Sequence, residues 1–489
     1  MLREEIQTRL SLYRGLYDVI VPKDHLLRRI KESIDFSFVN PMLREQYCAH
    51  FGRPAKEPEM MFKLLFLKKL YDLSDEALIQ NAMVNMAYKY FLDMDPEDNI
   101  IDSSLLTKFR KTRITEDILE QMLKETIKQA IDKGLIKSTA IMVDATHVKA
   151  NATAKRPTEL LRDMTKKLRL EIYKSMYELS DRFPDKPSET ADLSEEIEYS
   201  KKLLEAVEED ILASGRTELK SLRDQIKELL LDERIRRIRS VTDKDAKYGH
   251  KSQTSSFFGY KAHIAMTEER LISAVQVTSG EACDGDVMRE LAERSVKNGI
   301  TVDEINADTA YSTGANIEYC NDNDIRLISP LNPIISNSVL PKEDGFIYNK
   351  DAGTMQCPGG CLAMSCRQQN GKNKYHNSTN VYHFSKVQCR KCPMRENCRV
   401  GLSKTNTYAV SIANDLHKAQ LEFQLSDYFR QRSKQRYKIE AKNAEMKLSH
   451  GLERADSTGL SAMKLQSYLT AFTVNVKRMV QLIDPLTVS

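Results

Sequence analysis

An acid inside a strand restricts the architectures open to this chain more than any other feature of its sequence. From Thr139 to Val148, Ile141, Val143 and Val148 alternate with small or polar residues, the period of a β-strand, and Asp144 falls within that otherwise apolar stretch. A carboxylate that interrupts a buried strand costs free energy unless it is paired or binds a cation, so the surrounding sheet has to offer Asp144 a partner. Strand signals return at Phe257 to Ile264 and at Leu271 to Val277, separated by the turn-like Thr267, Glu268, Glu269 and Arg270. A helix from about Asp284 to Lys297 follows, then strand candidates at Thr301 to Ala307, ending in Asp308, and at Ile325 to Ser329. Strand, hairpin, helix, strand, helix, strand predicts a mixed α/β sheet, one domain interrupted by insertions.

The first interruption, residues 156 to 240, is highly charged and helical. Leu203, Leu204, Val207 and Ile211 form one apolar stripe, with breaks at Pro184, Pro187 and at Ser214, Gly215, so a helical hairpin and one more helix are expected there in a structural role. The second is a Cys-rich segment from about Ile335 to Ser411. Residues 1 to 133 read as helices throughout: Met60, Met61, Leu64, Leu65 and Leu67 recur on one stripe that Tyr71 ends, and Ser74 before Asp75 and Glu76 is an N-cap signal. A long helical region is expected over about Asn414 to His450, stopped by Gly451, and an amphipathic helix over Ser461 to Leu482. The predicted division is therefore an all-α N-terminal domain (1–133), a core in two parts (134–155 and 241–334), a helical insertion (156–240), a Cys-rich insertion (335–411) and C-terminal core helices (412–489).

Composition excludes other classes. With 489 residues, 41% hydrophobic and 29% charged, 18 Gly and 14 Pro, the chain is neither collagen-like nor largely disordered. No run approaches the ~20 apolar residues of a membrane span, and Arg3, Glu4, Glu5 and Arg9 stand where a signal peptide would be apolar, so a cytoplasmic protein is expected. The net charge of +4 means that any basic surface is local. One such cluster is Lys108, Arg110, Lys111 and Arg113, behind the helix-start signal Asp102, Ser103, Ser104; a solvated helix face accounts for it equally well.

Two acids on neighbouring strands plus a glutamate from a following helix form the constellation that holds two Mg²⁺ ions about 3.5 to 4 Å apart. The glutamate is sought in Ser433 to Lys447, SKQRYKIEAKNAEMK, where Ser433, Arg436, Glu440 and Lys447 lie within an arc of roughly 60° on a helical wheel. Glu445 points about 140° away from Glu440, toward solvent or toward Lys442 and Lys438. Between Tyr428 and Lys447, seven Lys or Arg (Arg430, Arg432, Lys434, Arg436, Lys438, Lys442, Lys447) stand against Glu440 and Glu445. That helix faces phosphates, or it is a solvated helix with i,i+4 pairs such as Arg436 and Glu440.

VDATHVKANAT around Asp144, FFGYKAHIA at Phe257, NADTAYST around Asp308 and RYKIEAKNAEMKLSHGLERA around Glu440 resemble the DDE transposases of bacterial insertion sequences. More narrowly they are similar to the IS1182 group of the IS4-like superfamily, and FGRPAKEPEMMFKLL and SSLLTKFRKTR look like that group's helical N-terminal region. The resemblance implies an RNase H-like catalytic core, a mixed sheet with flanking helices, with Asp144, Asp308 and Glu440 as the three metal-binding acids and Mg²⁺ or Mn²⁺, two ions, as cofactor. It further implies double-stranded DNA as partner, both terminal inverted repeats and target, with nucleoid association and a homodimer expected in the DNA complex. The family's Y-(2)-R-(3)-E-(6)-K signature falls on Arg436, Glu440 and Lys447, with Ser433 at the tyrosine position, and the chain has no Trp. Arg436 and Lys447 are the expected phosphate contacts, with Lys438, Lys108, Arg110, Lys111 and Arg113 as further DNA-binding candidates.

Six of the nine cysteines fall between Cys357 and Cys398. Cys389-x₂-Cys392 with two distant thiols matches a tetrahedral structural Zn²⁺ site, for which Cys357, Cys389, Cys392 and Cys398 are the chosen ligands and Cys361 the reserve. Buried or redox-active thiols are the alternative.

Overall fold

β1 (Ala140–Lys149) carries Asp144, and the sheet is built outward from it. β3 (Ser256–Thr267) runs antiparallel along one edge, with Asp144 opposite Ile264 and His147 opposite Lys261, and β5 (Glu304–Asn306) runs parallel along the other. β4 (Ile272–Ser279) closes the hairpin on the far edge of β3, β6 (Arg326–Ile328) lies parallel beyond β5, and a short β2 (Lys247–His250), without a strand signal of its own in the sequence, pairs with the start of β3. Tyr260 to Met266 pair with β1 on one side and β4 on the other, so the order across the sheet is β4-β3-β1-β5-β6. The computed structural model describes residues 11–48, 55–232, 235–236, 238–251, 254–332, 344–349, 352–373, 375–412 and 414–484. The N-terminal residues Arg3 to Arg9, the start of FGRPAKEPEMMFKLL and the opening of the Cys-rich segment at Ile335 lie outside them.

Strand alternation sorts β1 into two faces. Ile141 and Val143 enter the larger core with Leu291 and Ala292 of the Met288–Lys297 helix. Met142 and Val148, on the Asp144 face, meet Ile439 and Met446 of the Tyr437–His450 helix. The larger core continues without a break into the N-terminal helices, through Leu27, Phe62, Phe66 and Leu106.

Two helices are more buried than their stripes predict. Pro58–Leu70 hides nearly its whole circumference, because N-terminal helices cover one side and the Leu460–Ile483 helix the other. Phe472 of that last helix packs against Phe62, Phe66 and Phe36 at centroid distances of 5.0, 6.0 and 5.8 Å. Lys63 survives inside because Glu59 and Asp93 hold its ammonium at 2.8 and 2.6 Å. Leu460–Ile483 is likewise buried beyond its apolar stripe: it lies between the sheet and the N-terminal helices, and buried Asn475 satisfies both backbone groups of Ile272 at 2.7 and 2.8 Å.

The helical region expected over 414–450 forms in segments. Asp415–Gln424 ends, Ser426 caps a new helix, Asp427–Ser433, by accepting from the Phe429 amide, and a 3₁₀ turn, Lys434–Arg436, precedes Tyr437–His450. Gly451 ends that helix at φ 68°, the left-handed position its sequence signalled. The insertion at 156–240 forms the three expected helices, Pro157–Ser175, Leu193–Ala213 and Thr217–Leu231, around a core of its own. The Cys-rich segment folds as two small antiparallel sheets around Tyr382, Phe384, Val400 and Tyr408.

Candidate active site

The parallel ladder places Met142 opposite Asn306, so two residues further along each chain Asp144 comes level with Asp308. Asp308 leaves the strand as the cap of a 3₁₀ turn, Thr309–Tyr311, its carboxylate accepting from the Ala310 amide at 2.8 Å. Glu440 arrives from the Tyr437–His450 helix, seated on the Asp144 face of β1 by Ile439 and Met446. One turn after Glu440, the Asn443 amide Nδ2 donates to Asp144 Oδ2 at 2.9 Å.

Asp144 senses the other two acids. Burial pushes the Asp144 carboxyl up to about 6, and the charges of Asp308 and Glu440 push the same way, against the Ala145 amide and the Arg436 guanidinium. Arg436 Nη2 lies 3.6 Å from Glu440 Oε1, the i,i+4 pair foreseen in the sequence, and the Glu440 side chain is 60% exposed. The donors are all carboxylate oxygens, the chemistry that suits a hard divalent cation, and a cation would relieve the cost that Asp144 bears. Among the described residues, no three His, Cys, Asp or Glu side chains are grouped so as to hold a metal ion as they stand.

A further set of polar groups adjoins the acids. Tyr311 is fully buried, and burial followed by the charges of Asp284, Asp144 and Asp308 raises its hydroxyl well above the ordinary tyrosine range. Lys261 Nζ binds Asp284 Oδ1 at 2.8 Å, and buried His263 bonds Thr278 Oγ1 through Nε2 at 2.8 Å. Sequence reasoning did not single out Asn443, Tyr311, Asp284, Lys261 or His263. Tyr311, Lys261, His263 and Asn443 sit inside the very motifs that carry the resemblance, Asn443 also at the helical i+3 spacing from Glu440; Asp284 has no local signal.

The basic residues divide into committed and solvent-facing ones. Arg110 pairs with Asp75 at 2.9 Å, and Arg113 bonds the Gln46 carbonyl and lies over the Tyr47 ring at 4.5 Å, whereas Lys108 and Lys111 are exposed on the same Ser103–Arg113 helix. On the later segment Arg432 binds Glu304 and Glu268, and buried Lys442 binds Glu445 at 2.7 Å. Glu445 does not face solvent: Lys477, 3.1 Å away, joins Lys442 on it. Lys438 and Lys447 are partly buried, and Lys447 lies near Asp144, whose charge it feels. Cys357, Cys361, Cys389, Cys392 and Cys398 line one cavity of about 430 Å³, and burial, then Cys357, Cys398 and Cys392, raises the Cys389 thiol. No helix among the described residues is long and apolar enough to cross a membrane.

Two family models match this chain. Residues 16–112 match a transposase domain (DUF772), and residues 356–480, which include Glu440, match a transposase DDE domain. The chain is also similar to the uncharacterized protein ORF8 in the nfe locus of Rhizobium meliloti, 28% identical over 133 residues, which are 27% of this chain and 63% of that relative's length. No solved structure matches it. The two matched domains support a DDE transposase.

Proposed function

We propose that this chain is the transposase of an insertion sequence of the IS1182 group, with an RNase H-like core, that binds the element's terminal inverted repeats, cuts at its ends and joins the 3′-OH ends to target DNA. The observation that carries the reading is that the charges of Asp308 and Glu440, on two other elements, both reach Asp144 in β1. A mixed sheet, antiparallel on one side of β1 and parallel on the other, supports the RNase H-like core.

Asp144, Asp308 and Glu440 would hold two Mg²⁺ or Mn²⁺ ions, which when bound supply a deprotonated nucleophile and a stabilised leaving oxygen. Asn443 keeps the Asp144 carboxylate turned toward the site, and the Ala310 amide does the same for Asp308. Arg436, Lys438 and Lys447 hold phosphates flanking the cut, while Lys108 and Lys111 on the N-terminal region bind the terminal repeats as a homodimer assembles on DNA. A structural Zn²⁺ on Cys357, Cys389, Cys392 and Cys398 would brace the Cys-rich insertion; the shared thiol cavity supports this.

The test uses supercoiled plasmid carrying the DNA that flanks the gene on both sides. Metal-dependent cuts followed by joined product support the proposal. Cuts without joined product make the chain an RNase H-like nuclease, and binding without cuts an inactive DNA-binding derivative.

A further inference from the structure

Glu304 and Asn306 alternate along β5, so both side chains lie on the face of the sheet that Met142 and Asp144 occupy, and Asp308 follows just beyond them. The first two are spent on one residue, Arg432. Glu304, whose side chain is only 3% exposed, takes Arg432 Nε at 2.5 Å, and Asn306 Nδ2 donates to the Arg432 backbone carbonyl at 2.5 Å. On the other side of the guanidinium, Nη2 lies 2.5 Å from Glu268 Oε1, in the turn between β3 and β4. Tyr428, one turn earlier on the Asp427–Ser433 helix, donates its hydroxyl to the second Glu304 oxygen at 2.5 Å, and Arg326 lies over its ring at 5.1 Å.

Composition offers Arg432 to phosphate, but carboxylates occupy both edges of its fork. A buried carboxylate such as Glu304 is tolerated when its ion pair has good geometry, and a carbonyl at a helix end needs a donor; β5 and Arg432 meet both needs in one contact. A planar guanidinium between two acids fixes direction as well as distance. From Arg432 the chain runs to Glu440 as continuous helical backbone, through the 3₁₀ turn Lys434–Arg436 into Tyr437–His450. The Asn443–Asp144 bond holds that helix beyond Glu440, and Arg432 holds the chain before it. We propose that Arg432 is a positioning residue for Glu440: clasped by Glu304 and Asn306, it sets the glutamate against Asp308 from Asp308's own strand. The inference rests on the reading of Asp144, Asp308 and Glu440 as cation-binding acids and names the residue that brings the third toward the second.

The probe is Mn²⁺ alone, titrated into the full chain without DNA by calorimetry, with melting followed in metal-free buffer. Arg432→Leu by itself strands buried Glu304, so it is combined with Glu304→Leu; replacing both partners of a buried pair by apolar side chains leaves stability close to that of the wild type. Asn306→Ala, the second variant, removes the tie to the Arg432 carbonyl together with an Oδ1 that has no partner among the described residues, so its melting should change little. The expected result is a Mn²⁺ dissociation constant about tenfold higher in the leucine pair and raised by less in Asn306→Ala. Because Arg432 acts through Glu440, the same substitutions made on Glu440→Gln should shift affinity by less than about twofold. Wild-type affinity in both variants overturns the proposal, and so does a loss undiminished on Glu440→Gln, which would put the effect on Asp308 directly. Asn306→Ala decides alone should the leucine pair fail to fold. A wild-type chain whose Mn²⁺ binding is absent or indifferent to Asp308→Asn removes the cation reading and the inference with it, whereas Asp308-dependent binding that ignores both variants removes only the inference.

Discussion

Asn443 and Asp144, 299 positions apart in sequence, are joined by a 2.9 Å hydrogen bond that fastens the glutamate-bearing helix to the central strand. The bond holds the carboxylate from the same helix that delivers Glu440, so strand and helix cannot shift independently without breaking it. Asn443→Ala should therefore lower cleavage by about 10- to 100-fold and raise the divalent-ion concentration needed for half-maximal rate, as loss of a group orienting a metal ligand does. Melting temperature should move little, because one such bond is worth on the order of 1 kcal/mol. Unchanged ion dependence in a titration of cleavage rate would remove Asn443 from the site.

Asp144 makes a prediction with a definite sign. Its folded-state carboxyl lies at about 6, above the ordinary value of 3.8, so the folded chain binds the proton more tightly than the unfolded one. Stability is then lost as pH rises from about 4 to about 6, and the full cost, on the order of 1 to 3 kcal/mol, remains at neutral pH. Asp144→Asn keeps an acceptor for Asn443 and removes the charge. In metal-free buffer it should melt with the wild type near pH 4 and above it at pH 7, while strand cleavage is abolished. A variant less stable than wild type at pH 7, measured by calorimetry, would contradict this.

Glu440 and Glu445 should separate cleanly. Glu440→Gln should eliminate cleavage and joining with little change in stability, because the side chain is mostly exposed. Glu445→Gln strands buried Lys442 and weakens its tie to Lys477, and removing one partner of a buried pair costs about 3 to 5 kcal/mol. The variant should melt well below wild type yet retain most of its activity at low temperature. Paired melting and cleavage measurements decide; the opposite pattern would misplace the helix register.

Lys108, Lys111 and Arg110 should not act alike. Lys108→Ala and Lys111→Ala should each weaken DNA binding and reduce the slope of log affinity against log salt by about one. Arg110→Ala should act on stability: burial alone would raise Asp75, but Arg110 and Lys68 hold it down at about 2. That stabilisation is present above about pH 4 and fades as pH falls toward 2, so the loss in Arg110→Ala should be clear in urea at pH 7 and shrink toward pH 2.

For the thiols, Cys389→Ser with Cys392→Ser should release about one equivalent of Zn²⁺ per chain and loosen the Cys-rich insertion to proteolysis while sparing Asp144, Asp308 and Glu440. Elemental analysis of the purified wild type without stoichiometric Zn²⁺ would leave the five thiols of the cavity as ordinary half-buried cysteines.

Local rules were enough to read much of this chain. The period-two pattern around Asp144, the turn before Leu271, the cap at Ser74 and the glycine at 451 each act over a few residues, and each appears where the sequence places it. The i,i+4 relation of Arg436 and Glu440 is also local, and it persists although a 3₁₀ turn leads into their helix. What depended on tertiary structure was every fact about which surface meets which. Leu460–Ile483 carries the spacing of an amphipathic helix but is wrapped on both sides, because two layers converge on it. Of the basic residues, composition could only count charges; whether Arg432 faces phosphate or is consumed by Glu304 is decided by a chain segment 128 positions away. The link from Asn443 to Asp144 is of the same kind: hydrogen bonds act over about 3 Å, and only the folded chain brings those two residues within that reach.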